Sequence, residues 1–94
     1  MPTFEVAHVR EQGIDLIVVP LNDQFGRQSQ GDQNGVIYEL QTRARAAGLA
    51  GTVVLVWDDG GGRMAFRAPT NWHSFFRSIG WNWVAANVNR KLYW

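Results

Sequence analysis

Two nearly continuous apolar runs constrain the fold of this chain more than any other feature. The first, IDLIVVPL, covers residues 14–21, and the second, TVVLVW, covers residues 52–57. Both are far shorter than the roughly 18 apolar residues that identify a membrane-spanning helix. Apolar runs of this length are typical of strands that are covered on both faces or flanked by neighbours within a sheet. The sequence therefore predicts a sheet with these two segments at its centre.

A helix is predicted between the two runs. Its apolar residues recur at helical spacing and form one stripe: Val36, Ile37, Leu40, Ala44 and Ala47. Asp32 or Asn34 can cap its first turn, and Gly48 followed by Leu49 is a typical C-terminal stop. A strand, a helix and a further strand in succession form a right-handed crossover. The two apolar runs are therefore expected to pair in parallel.

Two segments with alternating apolar residues flank this unit. Residues 3–11 predict an edge strand that Gly13 connects to the first apolar run, and residues 63–68 predict a second edge strand. Because 94 residues suffice for one hydrophobic core but not for two, residues 1–94 are expected to form a single small domain.

The predicted fold class is α+β, with element order ββαββα and a four-stranded mixed sheet. Strand order 1-2-3-4 is preferred, because it places both apolar runs inside the sheet. A permuted ferredoxin-like order, 1-2-4-3, is the alternative, and it would move the second apolar run to an edge. One helix follows the second strand, and a C-terminal aromatic helix or helix pair completes the domain.

The C-terminal segment is unusually rich in aromatic residues, as the stretch WHSFFRSIGWNW at 72–83 illustrates. One helical stripe consists of Trp72, Phe75, Phe76 and Ile79, and a second consists of Trp81, Val84, Ala85, Val88 and Leu92. The step from Ile79 to Trp81 turns about 200° around a helix, so the two stripes point in opposite directions. Either one helix is buried on both sides, or Gly80 divides the segment into two helices.

The second stripe predicts an interface, because it would form a large apolar patch on a monomer and because aromatic residues are enriched where proteins meet. The protein is therefore expected to be a non-enzymatic interaction module. It would form a homodimer or dock a protein partner through Trp81, Val84, Val88, Leu92 and Trp94. The other interpretation places every aromatic ring in the core of one chain.

Nucleic-acid binding is a second hypothesis. Arg43 and Arg45 lie on the predicted helix, and Arg63 and Arg67 lie on the predicted edge strand. Arginine beside aromatic rings can hold a single strand by charge and stacking. Nine basic and eight acidic residues give a net charge of only +1, so this affinity would have to come from a local patch.

A third hypothesis places a ligand or a reaction at the polar segment NDQFGRQSQGDQN, residues 22–34, which is predicted to be a loop. Loops between a central strand and a helix are common ligand sites, and Arg27, Ser29 and Gly31 are the candidates for holding phosphate or carboxylate. The segment matches neither the P-loop nor the dinucleotide fingerprint. Asp58 and Asp59 are interpreted as turn residues before the glycines. No catalytic residue, metal site or cofactor is predicted.

The location of the protein is expected to be cytoplasmic, without a membrane partner. The first residues do not resemble a secretory leader, and the apolar runs are short, whereas the absence of cysteine neither requires nor excludes an oxidising compartment.

Overall fold

The computed structural model describes residues 3–59 and 63–93, which form a small α+β domain with five strands and three α-helices. In chain order the elements are β1 (Thr3–Glu11), β2 (Ile14–Pro20), α1 (Gln30–Ala46), β3 (Thr52–Asp58), β4 (Met64–Arg67), α2 (His73–Ser78), α3 (Trp81–Asn87) and β5 (Arg90–Tyr93). Short 3₁₀ helices at Asp23–Arg27 and Thr70–Trp72 precede α1 and α2. None of the helices in the described residues is long and apolar enough to cross a membrane.

The strands form one mixed sheet in the order β4-β3-β2-β1-β5. β2 and β3 are parallel, and the remaining neighbours are antiparallel. This arrangement confirms the preferred order of the first four strands, because both apolar runs lie inside the sheet and are buried at 16–19 and 53–57. The expectation of four strands with β1 at an edge is wrong, since β5 pairs with the first half of β1.

α1 begins earlier than the sequence predicts. Ser29 caps the helix, with its hydroxyl oxygen accepting a hydrogen bond from the backbone N–H of Asp32 at 3.1 Å. The predicted caps Asp32 and Asn34 are instead helical residues. The polar segment 22–34 is therefore not an irregular loop, because the 3₁₀ helix Asp23–Arg27 and the first turn of α1 occupy most of it.

α1 ends as the sequence predicts. Gly48 has a φ of +80°, in the left-handed region that favours glycine, and the N–H of Leu49 donates to the carbonyl of Ala44 at 2.9 Å. Leu40 and Ala44 are buried against the sheet, together with residues of β1, β2 and β3. Ala47 is exposed, because it follows the last residue of the helix rather than continuing the apolar stripe.

The other face of the sheet is covered by α2 and α3, which confirms the helix-pair alternative for the C-terminal segment. Trp72, Phe76 and Val84 are buried there against side chains of β1, β2 and β3. The ring of Phe75 packs edge-to-face on Phe76 and on Trp83, at centroid distances of 5.1 Å and 5.5 Å. Most of the aromatic density therefore belongs to the second core of the domain.

β5 replaces the last turns of the helix that the second stripe predicts. The side chain of Asn89 starts the new strand: its Oδ1 accepts from the N–H of His8 and its Nδ2 donates to the carbonyl of His8, both at 2.9 Å. The backbone N–H of Asn89 also donates to the carbonyl of Val6. Leu92 consequently points to the α1 face and is buried there.

Candidate ligand-binding groove

A groove of about 460 Å³ lies between α1 and the end of β4. One wall is a single face of α1, formed by Asn34, Ile37, Tyr38, Gln41, Thr42 and Arg45. Thr52 and Val53 at the start of β3, and Arg67 at the end of β4, line the opposite side. Because an α-helix rises about 1.5 Å per residue, the contributing face of α1 extends for about 16 Å.

The groove exists because β4 lies at the edge of the sheet, and because of the side chains that β4 carries. Met64 and Phe66 pack with the C-terminal helices, whereas Ala65 packs on the α1 side. Arg67 follows Ala65 by two residues and therefore projects to the same side, where it reaches α1. A small residue and a long polar residue leave the space beside α1 unfilled.

Arg67 is held in place by a buried amide. Its Nη1 donates a hydrogen bond to Oε1 of Gln33 at 3.1 Å. Gln33 is only 8% exposed, and its Nε2 donates to the carbonyls of Phe25 at 3.1 Å and Gln28 at 3.3 Å. A guanidinium carries five N–H donors, and the hydrogen bonds within the described residues use one of those on Arg67.

The charge of the groove is positive. Arg45 and Arg67 both line it, whereas no Asp or Glu of the described residues does. Within residues 3–59 and 63–93, neither arginine lies within ion-pair distance of a carboxylate. Arg43, on the neighbouring side of α1, is instead paired with Glu39 at 3.1 Å. An anionic ligand would therefore meet two cationic groups and no carboxylate in this groove.

The α1 side of the rim is polar apart from one aromatic ring, and Ala68 and the exposed Pro69 line the groove after β4. Four exposed side chains form the α1 side: Asn34, Tyr38, Thr42 and Arg45. Tyr38 is 74% exposed. Among the described residues, Tyr38 and Ile14 are the only large hydrophobic side chains exposed to solvent. Ile37 and Val53 provide the apolar part of the floor. The groove thus combines two cations, an accessible ring and an apolar floor.

Two of the four arginines that the sequence suggests for nucleic-acid binding meet in this groove. Arg45 comes from the last turn of α1 and Arg67 from β4. Arg43 is engaged by Glu39, and Arg63 is exposed just before β4 without lining the groove. The fold therefore brings two of the four predicted arginines, Arg45 and Arg67, together in one groove.

The three residues suggested for the 22–34 segment do not line a common pocket in the described part of the chain. Arg27 has a side chain that is 77% exposed and lies 4.0 Å from Asp23. The hydroxyl of Ser29 is engaged in capping α1, and Gly31 lines a different depression together with Asp32. An anion site built from Arg27, Ser29 and Gly31 stays a prediction.

The five residues suggested for an interface do not form one exposed stripe. Val84 is 1% exposed and Leu92 is 2% exposed, and they belong to the cores on opposite faces of the sheet. Trp81 and Val88 are half-buried, and Trp94 lies outside the described residues. The helical arrangement of the stripe is wrong because the chain changes from helix to strand after residue 87, whereas an interface at these residues stays a prediction. Formation of a homodimer stays a prediction, which the solution mass from light scattering would test.

The two histidines are the other candidates for acid–base chemistry, and each lies within hydrogen-bond distance of a backbone carbonyl. Nε2 of His8 lies 2.9 Å from the carbonyl of Ala50, and Nε2 of His73 lies 3.0 Å from the carbonyl of Ala68. No group of three His, Cys, Asp or Glu residues suited to a metal ion occurs within the described ranges.

Tyr38, which lines the groove, and Gln33, which binds Arg67, have no counterpart among the sequence-based candidates. Tyr38 could have been found, because it precedes Arg45 by two helical turns and shares its face of α1. Gln33 offered no local signal, since its partner Arg67 lies 34 residues away. No protein-family model, curated protein or solved structure matches this chain. The functional argument therefore rests on the geometry of the groove.

Proposed function

We propose that this protein is a binding module that holds an anionic ligand in the groove between α1 and β4. The observation that carries the proposal is Arg67, a half-buried arginine that is fixed by a neutral amide and has no carboxylate partner among the described residues. Partial removal of a charge from water costs free energy unless an opposite charge compensates for it. A ligand carboxylate or phosphate would supply that charge and accept the remaining N–H donors.

The other lining residues favour a ligand with a planar or apolar part beside its anionic group. Arg45 provides a second cation, Tyr38 an exposed ring, and Ile37 and Val53 an apolar floor. The volume of about 460 Å³ lies within the range of roughly 300–1,000 Å³ that is typical of small-molecule sites. A nucleotide-like or aromatic acid matches this combination better than a bare inorganic anion.

The proposal is tested by titrating ¹⁵N-labelled protein with pyrophosphate, AMP and benzoate while recording backbone and side-chain amide shifts. We expect shifts to concentrate at Gln33, Tyr38 and Arg45. Arg67→Gln should weaken AMP binding by about tenfold or more, because it removes a charge-assisted hydrogen-bonding group. Arg77→Gln is the matched control, since Arg77 is an exposed arginine of α2, on the other face of the sheet. Absence of localised shifts with all three probes would overturn the proposal.

A further inference from the structure

We infer that the ligand is single-stranded nucleic acid, an inference that rests on the proposed function of the groove. Its first basis is shape. The α1 wall is about 16 Å long, and exposed residues follow its rim from Asn34 to Arg45. A ligand that lies along this wall can contact several of these rim residues at once, which favours an extended ligand over a compact one.

The second basis is Tyr38, whose ring stands on the rim with 74% of its surface exposed. No ring contact joins Tyr38 to another aromatic residue in the described part of the chain. An unstacked ring beside a cationic groove is the arrangement on which proteins stack bases of single strands. Such stacking tolerates any base, so the groove is expected to bind with little sequence preference.

The third basis is the number and position of the cations. Arg45 and Arg67 line the same groove, and both lack a carboxylate partner among the described residues. Two phosphates of one strand would pair with them. For a single strand, each neutralised phosphate contributes about −0.7 to the slope of log K against log salt, so two arginines predict a slope of about −1.4.

An acidic peptide fits these observations less well. An extended peptide would gain its main-chain hydrogen bonds at the free edge of β4, as in strand addition to a sheet. The groove lies beside that edge, on the α1 face, where Arg67 reaches Gln33. Carboxylates of a peptide would match Arg45 and Arg67 but would leave the ring of Tyr38 without a planar partner.

The test uses fluorescence anisotropy of fluorescein-labelled oligo(dT) and oligo(U) of about eight nucleotides, titrated with the whole chain over a series of salt concentrations. The parent protein is expected to show a slope of about −1.4. Arg67→Gln and Arg45→Gln should each reduce it to about −0.7, while Arg77→Gln should leave it unchanged. Circular dichroism verifies that each variant is folded, and the exposed Arg45 keeps the test valid if Arg67→Gln unfolds.

Substitution of Tyr38 separates stacking from charge. Tyr38→Ala is expected to weaken oligonucleotide binding by about fivefold or more without changing the salt slope, whereas Tyr38→Phe should bind like the parent. Equal affinity of Tyr38→Ala and the parent would overturn the inference, and so would binding that does not depend on salt.

The probes also distinguish this inference from the proposed function on which it rests. If AMP binds at Arg67 but the oligonucleotides bind no tighter than AMP, the single-strand inference fails and the proposed function stands. If a fluorescein-labelled glutamate-rich peptide binds more tightly than either oligonucleotide, the single-strand inference likewise fails and the proposed function stands. If no probe binds at the groove, both fail.

Discussion

The helices that cover the two faces of the sheet are held there by different kinds of contact. On one face lies α1, a helix of 17 residues. Polar side chains link it to the rest of the sheet face, because Gln33 binds Arg67 and Gln41 forms hydrogen bonds with the backbone of Gly51 and Val53. On the other face lie α2 and α3, of six and seven residues, which pack through aromatic rings. The α1 face retains a positively charged groove, whereas aromatic side chains cover the second face.

The difference between the two faces explains why the C-terminal segment is so rich in aromatic residues. Helices shorter than about 12 residues have little stability of their own, so α2 and α3 depend on tertiary packing. Large rings provide the most buried area per residue, and edge-to-face contacts such as that between Trp72 and Phe75 add to it. Aromatic content is therefore a weak guide to an interface here. The ring of Tyr38, which is exposed, is the more informative one.

The largest expected effect is the loss of an aromatic ring from the C-terminal face. Phe76 is 1% exposed and packs against Phe66 and Phe75. Phe76→Ala should lower the free energy of unfolding by about 3–5 kcal/mol, because it removes a buried ring and leaves a cavity. Denaturant unfolding monitored by tryptophan fluorescence measures the effect. Leu40→Ala provides the comparison on the α1 face, and a larger loss for Leu40→Ala would break the contrast between the faces.

A smaller effect is expected at the glycine that returns the chain from α1 to the sheet. Gly51 has a φ of +128°, and a Cβ at this position would lie 2.6 Å from the carbonyl oxygen of Asp15. Gly51→Ala should therefore cost about 2–3 kcal/mol, through backbone strain and steric overlap. Gly80, before α3, has a φ of −140° and no atom near a new Cβ. Gly80→Ala should change the unfolding free energy by no more than about 0.5 kcal/mol, and equal costs would contradict this account.

The smallest effect on stability, with the clearest effect on binding, is expected for Gln33→Glu. A carboxylate at this position would pair with Arg67 and would lose the donor to the carbonyls of Phe25 and Gln28. We expect a loss of about 1–2 kcal/mol in unfolding free energy. Anion affinity should fall by about tenfold, because the groove then contains its own counter-charge. Gln24→Glu makes the same charge change at an exposed position of the 3₁₀ helix and should keep the affinity of the parent. Retained affinity in Gln33→Glu would contradict the role of Arg67.

The central part of the fold could be predicted from local patterns. Apolar runs at 14–21 and 52–57 identify strands buried on both faces, and Gly48 with Leu49 identifies the end of α1. The signals of the two runs are strong because most of their residues are apolar and buried. The order of the first four strands follows from placing both runs inside the sheet.

β5 could not be predicted, because its signal is not local. A segment of four residues is too short to show a clear periodicity, and Leu92 is the buried one among the side chains described in it. Its position depends on Asn89 bonding with the backbone of His8, which lies 81 residues earlier. The candidate site has the same limitation: Arg45 and Arg67 are visible as basic residues, but their meeting in one groove depends on the pairing of β3 with β4.

The pairing of β5 with β1 has a consequence for the order of events during synthesis. β1, β2, α1 and β3 can associate as they emerge from the ribosome, because each contacts an element made before it or soon after. Within this domain β5 is the last strand in chain order, and it pairs with β1, the first. The N-terminal half of β1 must therefore wait with an open edge until residues 90–93 have been synthesised. Closure of this contact spans nearly the whole chain, so it is expected to be a late and slow step in folding.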